Sequence, residues 1–136
     1  MGYKKSYENR ETGCIFCEIT EGRVIGENEL ALAILDAFPV TEQHTLIIPK
    51  RHVSNYFSLY QPERNAIQRL LEERRQAILV DDSTVTGFNV GNNIGEVAGQ
   101  TVMHCHTHLI PRRKGDVDEP TGGVRGVIPE KQKYLG

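Results

Sequence analysis

Three histidines occupy alternate positions in the stretch VMHCHTHLIPRR, which spans residues 102–113. They are His104, His106 and His108, three of the five histidines in the chain. A β-strand points successive side chains to opposite faces, so this spacing predicts three imidazoles along one face of a strand. On that prediction, the opposite face carries Cys105, Thr107 and Leu109.

A single metal ion does not account for all three imidazoles. With a rise of about 3.3 Å per residue, His104 and His108 stand roughly 13 Å apart along an unkinked strand. An imidazole and its metal bond reach only about 5 to 6 Å from Cβ, since a Zn–N bond is about 2.1 Å long. At least one of the three therefore serves another purpose, such as catalysis or a hydrogen bond in a polar patch.

Neighbouring imidazoles suit the transfer of a phosphoryl or nucleotidyl group. Clustered imidazoles disfavour each other's protonation, which keeps some of them neutral near pH 7. A neutral imidazole nitrogen is a nucleophile, and a second imidazole about 7 Å along the strand can protonate a leaving group. A phosphorus centre held between them meets both groups, so the spacing predicts a phosphohistidine-type intermediate.

The segment before the histidines has the composition of a phosphate-binding loop. In NNIGEVAGQTV, residues 92–102, glycines let the backbone approach a ligand closely. Its neutral hydrogen-bonding side chains include Asn93, Gln100 and Thr101. The glycine spacing alone is common in proteins of many kinds, so this prediction depends on the histidines that follow.

Two cysteines in the stretch CIFC, Cys14 and Cys17, have the spacing of paired zinc ligands. One alternative is a redox dithiol, but that motif normally follows a strand in a thioredoxin-like unit, whereas this one follows a flexible arm. The other alternative is a pair of thiols with no specific role. A zinc site needs two further ligands, for which His52 and the spare outer histidine, His104, are candidates. The predicted site is closed and structural, and separate from catalysis. Cys105 is expected in the core.

The rest of the chain supplies the elements that position these residues, and it predicts an α+β fold. Residues 1–13 lack an apolar pattern and are predicted to be a flexible arm, followed by a short helix within CIFCEITEG. VIGENELALAILD predicts a β-hairpin, and Leu46–Ile48 predicts a strand that is buried on both faces. Pro62 begins a long helix that runs to about Val80, and a Gly- and Pro-rich tail from about Lys114 covers the surface. The expected architecture is an antiparallel sheet with one long helix.

The composition limits the class of protein. A length of 136 residues suits one domain, which we place at residues 14–136, after the arm. A net charge of −2 and a pI near 6.2 provide no general attraction to nucleic acid or to anionic membranes. The polar start MGYKKSYENRETG is not expected to be a signal peptide, and three cysteines suit a reducing compartment. We therefore predict a cytoplasmic protein with no nucleic-acid or membrane partner.

Two longer stretches resemble the histidine triad family, whose signature is His-x-His-x-His followed by two apolar residues. GQTVMHCHTHLIPR matches that signature and its usual preceding residues, and LDAFPVTEQHTLIIPKRH resembles the family's Asp-x-x-Pro segment and the strand after it. The resemblance extends over residues 14–128. It departs at Gln43, where the family commonly has glycine, and at Thr107, where it usually has a large apolar residue. The resemblance implies an α+β protomer that usually joins its sheet to that of a second copy in a homodimer.

The resemblance also implies a role for each matching residue. His106 would attack the α-phosphorus, His108 would contact the α-phosphate and assist the leaving group, and His104 completes the catalytic triad. Asp36 would accept hydrogen bonds from the ribose hydroxyls. The phosphates would be held by Asn93, Gln100 and Thr101, and the purine would be enclosed by Phe16, Ile19 and Ile34. In similar bacterial-type members with Cys-x₂-Cys, zinc anchors the N-terminal segment to the sheet.

The leading functional prediction is a nucleotide-binding hydrolase that cleaves nucleoside phosphoanhydrides of the dinucleoside polyphosphate type at the α-phosphate. The tail GDVDEPTGGVRGVIP resembles that of dinucleoside polyphosphate hydrolases or phosphorylases, and Arg125 within it would either reach a second phosphate or lie on the surface. In the wider superfamily that this resemblance implies, glutamine in place of the third histidine marks the transferases, so His108 favours hydrolysis. The alternatives are a purine nucleoside phosphoramidase, a phosphorylase, and a nucleotide-binding regulatory module with little turnover.

Overall fold

In the computed structural model of the chain, which describes residues 6–134, five strands form one antiparallel sheet and a long helix packs against it. The elements are β1 Val24–Glu27, β2 Ala31–Leu35, β3 Thr45–Pro49, α1 Gln61–Asp81, β4 Val85–Gly91 and β5 Thr107–Arg113. The strands lie in the order β1-β2-β3-β5-β4. The predicted α+β class is confirmed. Among the described residues, no helix is both long enough and apolar enough to cross a membrane.

The predicted hairpin is confirmed as β1 and β2, and Asn28 closes its turn. The Asn28 Oδ1 accepts hydrogen bonds from the backbone N–H groups of Leu30 and Ala31, at 3.2 and 2.9 Å. Its Nδ2 donates to the carbonyl of Ala66 on α1 at 2.8 Å. One side chain therefore shapes the turn and ties the hairpin to the helix.

β3 is the buried centre of the sheet, as the unbroken run of Leu46, Ile47 and Ile48 predicts. Ile47 packs in the same cluster as Leu70 of α1. Leu46 and Ile48 pack in a second cluster with Phe16, which lies in the turn before β1. Because both faces of β3 are covered, a slip of one residue would expose its apolar side chains, and this fixes the register.

α1 begins one residue before the predicted Pro62 and ends one residue after Val80. Its apolar stripe faces the sheet, and the buried members are Ala66, Ile67, Leu70 and Ile78. Its first turn also buries the carboxylate of Glu63, which accepts the N–H of Tyr60 at 2.8 Å and pairs with Arg51. The helix start is therefore joined to the loop that follows β3.

The predicted strand through all three histidines is wrong in its first half, because β5 begins only at Thr107. The N–H of Cys105 donates to the carbonyl of Val53 at 2.7 Å, and this bond takes the backbone out of the strand ladder. Pairing with β3 starts at the Ile47–Thr107 pair. The alternation of faces is nevertheless confirmed, since Cys105 and Thr107 are both buried and share the side chain of Asn92.

Gln43, where the resemblance leads one to expect glycine, has a φ of 71°. This left-handed conformation costs a residue with a Cβ roughly 1–2 kcal/mol, which explains a preference for glycine at this position. Here the side chain donates to Asp81 Oδ2 at 2.7 Å, and the Gln43 carbonyl accepts the hydroxyl of Thr45 at 2.8 Å. These contacts hold the turn that leads His44 into β3.

In the part of the chain that the structure describes, the N-terminal segment contacts the domain and the tail is held by hydrogen bonds within itself. The N–H of His52 donates to the carbonyl of Asn9 at 2.8 Å, and Asn9 Nδ2 donates to the carbonyl of His52 at 3.2 Å. In the tail, Arg125 donates to two tail carbonyls at 2.9 and 3.2 Å. The domain limits and the flexibility of the arm stay predictions, and residues 1–5 of the arm lie outside the described residues.

Candidate functional site

Three imidazoles and one phenyl ring meet near the start of β5. The ring centroids of His106 and His108 are 5.3 Å apart, and Phe16 lies 5.0 Å from His106. The third imidazole is that of His44, 5.1 Å from His108. His44 precedes β3, and Leu46, two positions further on, pairs with His108 across the sheet. The structure therefore brings the predicted His106 and His108 together and adds His44, which the sequence analysis missed.

A chain of hydrogen bonds fixes the proton positions on His44 and His108. The backbone N–H of Val40 donates to His44 Nδ1 at 3.1 Å, so this nitrogen carries no proton. In a neutral imidazole the proton is then on Nε2, which lies 2.9 Å from His108 Nδ1 and donates to it. His108 Nδ1 is therefore an acceptor, and its own proton is on Nε2. This arrangement leaves the Nε2–H of His108 to donate to a ligand.

His106 has the opposite tautomer. Its Nδ1 lies 2.8 Å from the carbonyl oxygen of His104, which can only accept, so Nδ1 carries the proton. The lone pair of a neutral His106 is then on Nε2. Two neighbouring imidazoles thus differ in kind, because His106 offers a nucleophilic lone pair and His108 offers an N–H.

Burial favours the neutral form of two of these imidazoles near pH 7. Desolvation lowers the pKa of His44 and of His108 below the usual 6.5, and for His108 the neighbouring His106 and His44 lower it further. Asp36 opposes both shifts, with its Oδ2 3.5 Å from His44 Nε2. Because burial is the larger cause, the contact between His44 and Asp36 joins a neutral imidazole to a carboxylate.

The predicted nucleoside-binding residues differ in their exposure. Asp36 is partly exposed, and its Oδ1 accepts the N–H of Phe38 at 2.8 Å, which orients the carboxylate. Phe16 and the half-buried Ile19 pack in one apolar cluster. Ile34 belongs to the same cluster but is fully buried, so it supports this wall from within the core.

The predicted phosphate-binding residues also differ in exposure. Asn93 and Thr101 lie at the surface. Gln100 is buried, where its Oε1 accepts the N–H of Gly95 at 2.9 Å and its Nε2 donates to two backbone carbonyls at 2.9 and 3.2 Å. Because its amide is already bonded to the backbone, Gln100 shapes the loop, and Asn93 and Thr101 are the exposed members of this set.

A cleft of about 460 Å³ opens beside His108, within the size range of ligand-binding cavities. Among the residues that line it are His44, His108 and Asn93, together with Val124 and Val127 of the tail. The cleft borders the imidazole that offers an N–H, so a leaving group that accepts from His108 has space there.

The predicted metal ligands meet at a second centre. One ligand atom from each lies within 4.8 Å of the others, and the four residues are Cys14, Cys17, His52 and His104. His104 Nδ1 is 3.4 Å from Cys14 Sγ and 3.5 Å from Cys17 Sγ. His52 Nδ1 is 3.4 Å from Cys17 Sγ. In tetrahedral zinc, bonds of about 2.3 Å to sulfur and 2.1 Å to nitrogen place the two atoms about 3.6 Å apart, so the four residues fit a zinc ion.

The Nε2 atom of each imidazole at this centre also has a polar partner. His104 Nε2 donates to the carbonyl of Pro49 at 2.7 Å, and His52 Nε2 lies 3.2 Å from a carboxylate oxygen of Glu11. Such partners select the tautomer that presents Nδ1 to a metal. Burial lowers the pKa of His104 to about 4, so the lone pair on its Nδ1 is available. The sequence analysis missed Glu11, which it placed in the flexible arm.

Comparison with known proteins gives matches that cover most of the chain. The HIT domain family model matches residues 18–115. An adenosine 5′-monophosphoramidase of Schizosaccharomyces pombe is 34% identical over 128 residues, which are 90% of this chain and 92% of that protein. The crystal structure of a HIT family protein from Bacillus anthracis has a TM-score of 0.71 at 40% identity, and covers 79% of this chain and 78% of its own. A zinc-bound histidine triad family protein from Mycobacterium smegmatis has a TM-score of 0.69 at 35% identity, with coverages of 76% and 78%.

Proposed function

This chain belongs to the HIT domain family, and on that premise we propose that it hydrolyses nucleotides at the α-phosphate through a nucleotidyl-histidine intermediate. The observation that carries the proposal is the set of hydrogen bonds near the start of β5, which assigns opposite tautomers to His106 and His108. His106 offers a lone pair on Nε2 beside the Nε2–H of His108. A phosphorus atom held between them meets a nucleophile and a hydrogen-bond donor at once.

In the proposed reaction, His106 Nε2 attacks the α-phosphorus. A P–N bond forms, and the bond from phosphorus to the leaving oxygen breaks with its electron pair on that oxygen, which accepts a hydrogen bond from His108. The imidazole of His106 becomes cationic in the intermediate, and the carbonyl of His104 stabilises this charge through Nδ1–H. Water then attacks phosphorus, the P–N electron pair returns to Nε2, and the water releases a proton to solvent. The product is a nucleoside monophosphate.

The nucleotide contacts in this proposal follow the exposure of the side chains. Asp36 accepts hydrogen bonds from the ribose, and Phe16 with Ile19 contacts the purine. Asn93 and Thr101 bind the phosphates. Gln100 and Ile34 act indirectly, because one is bonded to the loop backbone and the other is fully buried. His104 completes the triad by holding His106 through its carbonyl.

The preferred substrate in this proposal is a dinucleoside polyphosphate, because its leaving group departs as a phosphate oxyanion that needs only a hydrogen bond from His108. A nucleoside phosphoramidate is the second candidate, since the Schizosaccharomyces pombe relative is an adenosine 5′-monophosphoramidase and is similar over 90% of this chain. Its amine leaving group needs a full proton.

Product analysis separates these candidates. With diadenosine tetraphosphate we expect AMP and ATP, whereas ADP that forms only when inorganic phosphate is added would identify a phosphorylase. Turnover of adenosine 5′-phosphoramidate alone would favour the second candidate. Nucleotide binding without turnover of either substrate would overturn the proposal in favour of a regulatory module.

We propose that Cys14, Cys17, His52 and His104 hold a structural zinc ion, and we expect about one zinc per chain in purified, tag-free protein. The Cys14→Ser variant is expected to lose this zinc, because a hydroxyl is a much weaker ligand than a thiolate. Mass spectrometry of the metal content measures both. Cys105→Ser is the matched control and keeps its zinc, since Cys105 is buried among apolar residues. A zinc-free native protein of equal stability would contradict the proposal.

The imidazoles of His44 and His108 are expected to protonate only below pH 6.5. Burial lowers the pKa of both from 6.5, so both stay neutral until the pH falls through those lower values. In His44→Ala, His108 loses a donor to Nδ1 and a repelling neighbour, so His108 protonates at a higher pH and kcat falls about 10- to 100-fold. NMR titration of the imidazole resonances and steady-state kinetics measure these effects. Protonation of either wild-type imidazole above pH 6.5, or an unchanged titration of His108 in the variant, would contradict them.

We also propose a cytoplasmic homodimer joined along β4. β4 is an edge strand, and its Val90 is exposed beside a groove that is also lined by the exposed Phe57. An unpaired strand edge with apolar neighbours favours pairing with another chain. Light scattering is expected to show a dimer for wild type and a monomer for Val90→Lys, and a wild-type monomer would count against the dimer.

The free cysteines Cys14, Cys17 and Cys105 suit a reducing compartment, which supports the proposed cytoplasmic location.

A further inference from the structure

The candidate metal centre and the nucleophile share residues. His104 directs Nδ1 toward the thiols of Cys14 and Cys17, and its carbonyl accepts the Nδ1–H of His106 at 2.8 Å. Phe16 lies between the two cysteines in the sequence. Its ring contacts both imidazoles, with centroids 6.0 Å from His104 and 5.0 Å from His106. One short turn therefore carries two metal ligands and part of the proposed nucleoside wall.

We propose that a metal ion at Cys14, Cys17, His52 and His104 acts as a latch that holds Phe16 beside His106, so that metal occupancy sets the affinity for the nucleoside. The inference rests on the proposed function in one respect, namely that the nucleoside contacts Phe16. It gives the metal centre a role in substrate binding in addition to its role in stability.

The turn that carries Phe16 has few other polar ties to the rest of the protein, as far as the described residues show. The backbone N–H groups that are bonded in this turn find acceptors within residues 11–18, and they belong to Gly13, Cys14, Cys17 and Glu18. The two thiols and the carboxylate of Glu11 reach across, to His52 and His104. Apart from these contacts, the turn is fastened by the apolar packing of its cluster.

Metal binding changes the strength of the contacts that cross from the turn. Without an ion, thiol–imidazole contacts at 3.4 to 3.5 Å are weak hydrogen bonds, because a thiol is a poor donor. With an ion, four ligand bonds would join the turn to His52 and His104, and His104 is anchored to β3 because its Nε2 donates to the carbonyl of Pro49. Phe16 then has a fixed ligand two residues before it and another directly after it, which confines its ring.

The test is a double-mutant cycle on AMP affinity, in which metal removal is one change and Phe16→Ala is the other. AMP is titrated calorimetrically into each protein as purified, after a chelator has removed the metal, and after zinc has been restored. We expect metal removal to weaken AMP binding to wild type about tenfold and reversibly, but to Phe16→Ala by less than about twofold, because no ring remains to be held. Ile15→Ala is the matched control, since Ile15 is an exposed neighbour in the same turn, and it keeps the full metal dependence.

Amide hydrogen exchange supplies a second readout that needs no nucleotide. The N–H groups of Cys17 and Glu18 both donate to the carbonyl of Cys14 at 3.1 Å. We expect them to exchange at least about tenfold faster after metal removal, while Ile47 in the centre of the sheet is unchanged. Failure of the metal-loaded protein to bind AMP counts against the proposed function, whereas unchanged exchange in the turn counts against the latch.

Three further results would overturn the proposal. The first is equal AMP affinity in metal-free and metal-loaded wild type. The second is an equal loss in wild type and Phe16→Ala, because the metal would then act independently of the ring. The third is a metal-free protein that no longer unfolds cooperatively, since the metal would then hold the whole domain rather than one turn. The His52→Ala variant, which removes a ligand and leaves the residues His104 and Phe16 unsubstituted, must reproduce the effect of the chelator.

Discussion

Replacing His106 with asparagine is expected to lower kcat for hydrolysis of diadenosine tetraphosphate by about 10⁴-fold or more. The asparagine amide can still donate to the carbonyl of His104, which lies 2.8 Å from His106 Nδ1, but it offers no nucleophilic nitrogen. AMP affinity is expected to stay nearly unchanged, because the proposed nucleotide contacts come from other residues. Steady-state kinetics and calorimetric titration on the same preparations measure the two quantities.

A covalent adduct distinguishes the nucleophile from a residue that only assists. Brief incubation with substrate, followed by denaturation and mass spectrometry, is expected to show a nucleotidyl group on His106 of wild type and none on the variant. His108→Asn is the matched control, because the shorter side chain has no donor at the position of Nε2 while the nucleophile is kept, so it still forms the adduct while kcat falls about 10²- to 10⁴-fold. An adduct on another residue, or full turnover by His106→Asn, would contradict the assignment.

Local patterns predict most of the sheet and the helix because the signal lies inside each element. The run Leu46–Ile48 shows a strand buried on both faces, and the structure covers β3 on both sides. Pro62 marks the start of α1 to within one residue. The start of β5 at Thr107 is different, since it depends on the bond from Cys105 N–H to the carbonyl of Val53, which no periodicity in residues 102–113 can reveal.

The four residues of the candidate metal centre follow from sequence in a less direct way. Cys14 and Cys17 are recognised by spacing, and His104 by the limited reach of an imidazole along a strand. That argument assumes an unkinked strand, and the segment before Thr107 is not one. The structure nevertheless places the two side chains apart, because His104 faces the thiols and His108 faces His44.

The residues that sequence reasoning missed are defined by contacts between distant parts of the chain. His44 is 64 positions from its partner His108, and the relation follows only from the register of β3 against β5. Glu11 supports His52 from a segment without any apolar pattern. For Gln100, the residue type indicates a phosphate donor, but burial commits its amide to the backbone. The residue type shows which groups a side chain can bind, but only the fold shows whether that side chain is already occupied by contacts within the protein.

The largest expected loss of stability comes from Glu63→Gln, which breaks a buried ion pair. Glu63 accepts two hydrogen bonds from the guanidinium of Arg51, both at 2.9 Å, and a third from the N–H of Tyr60 at 2.8 Å. Hydrogen bonding to Glu63 raises the pKa of Arg51, so the buried guanidinium stays charged. Glutamine presents an NH₂ group to that charge and leaves it unpaired, which lowers the free energy of unfolding by about 3–5 kcal/mol. Urea denaturation followed by circular dichroism measures the loss.

The position of Arg51 connects this stability to the site. Arg51 precedes His52 and also donates to the carbonyl of Ser58 at 3.0 Å, so the ion pair ties the loop of a candidate metal ligand to the start of α1. Because the pair does not touch the reacting atoms, we expect a near-wild-type kcat for Glu63→Gln well below its melting temperature. Glu72→Gln, the same change at an exposed position of α1, is expected to cost less than about 0.5 kcal/mol. Equal destabilisation by both variants would mean that burial adds nothing to the pair.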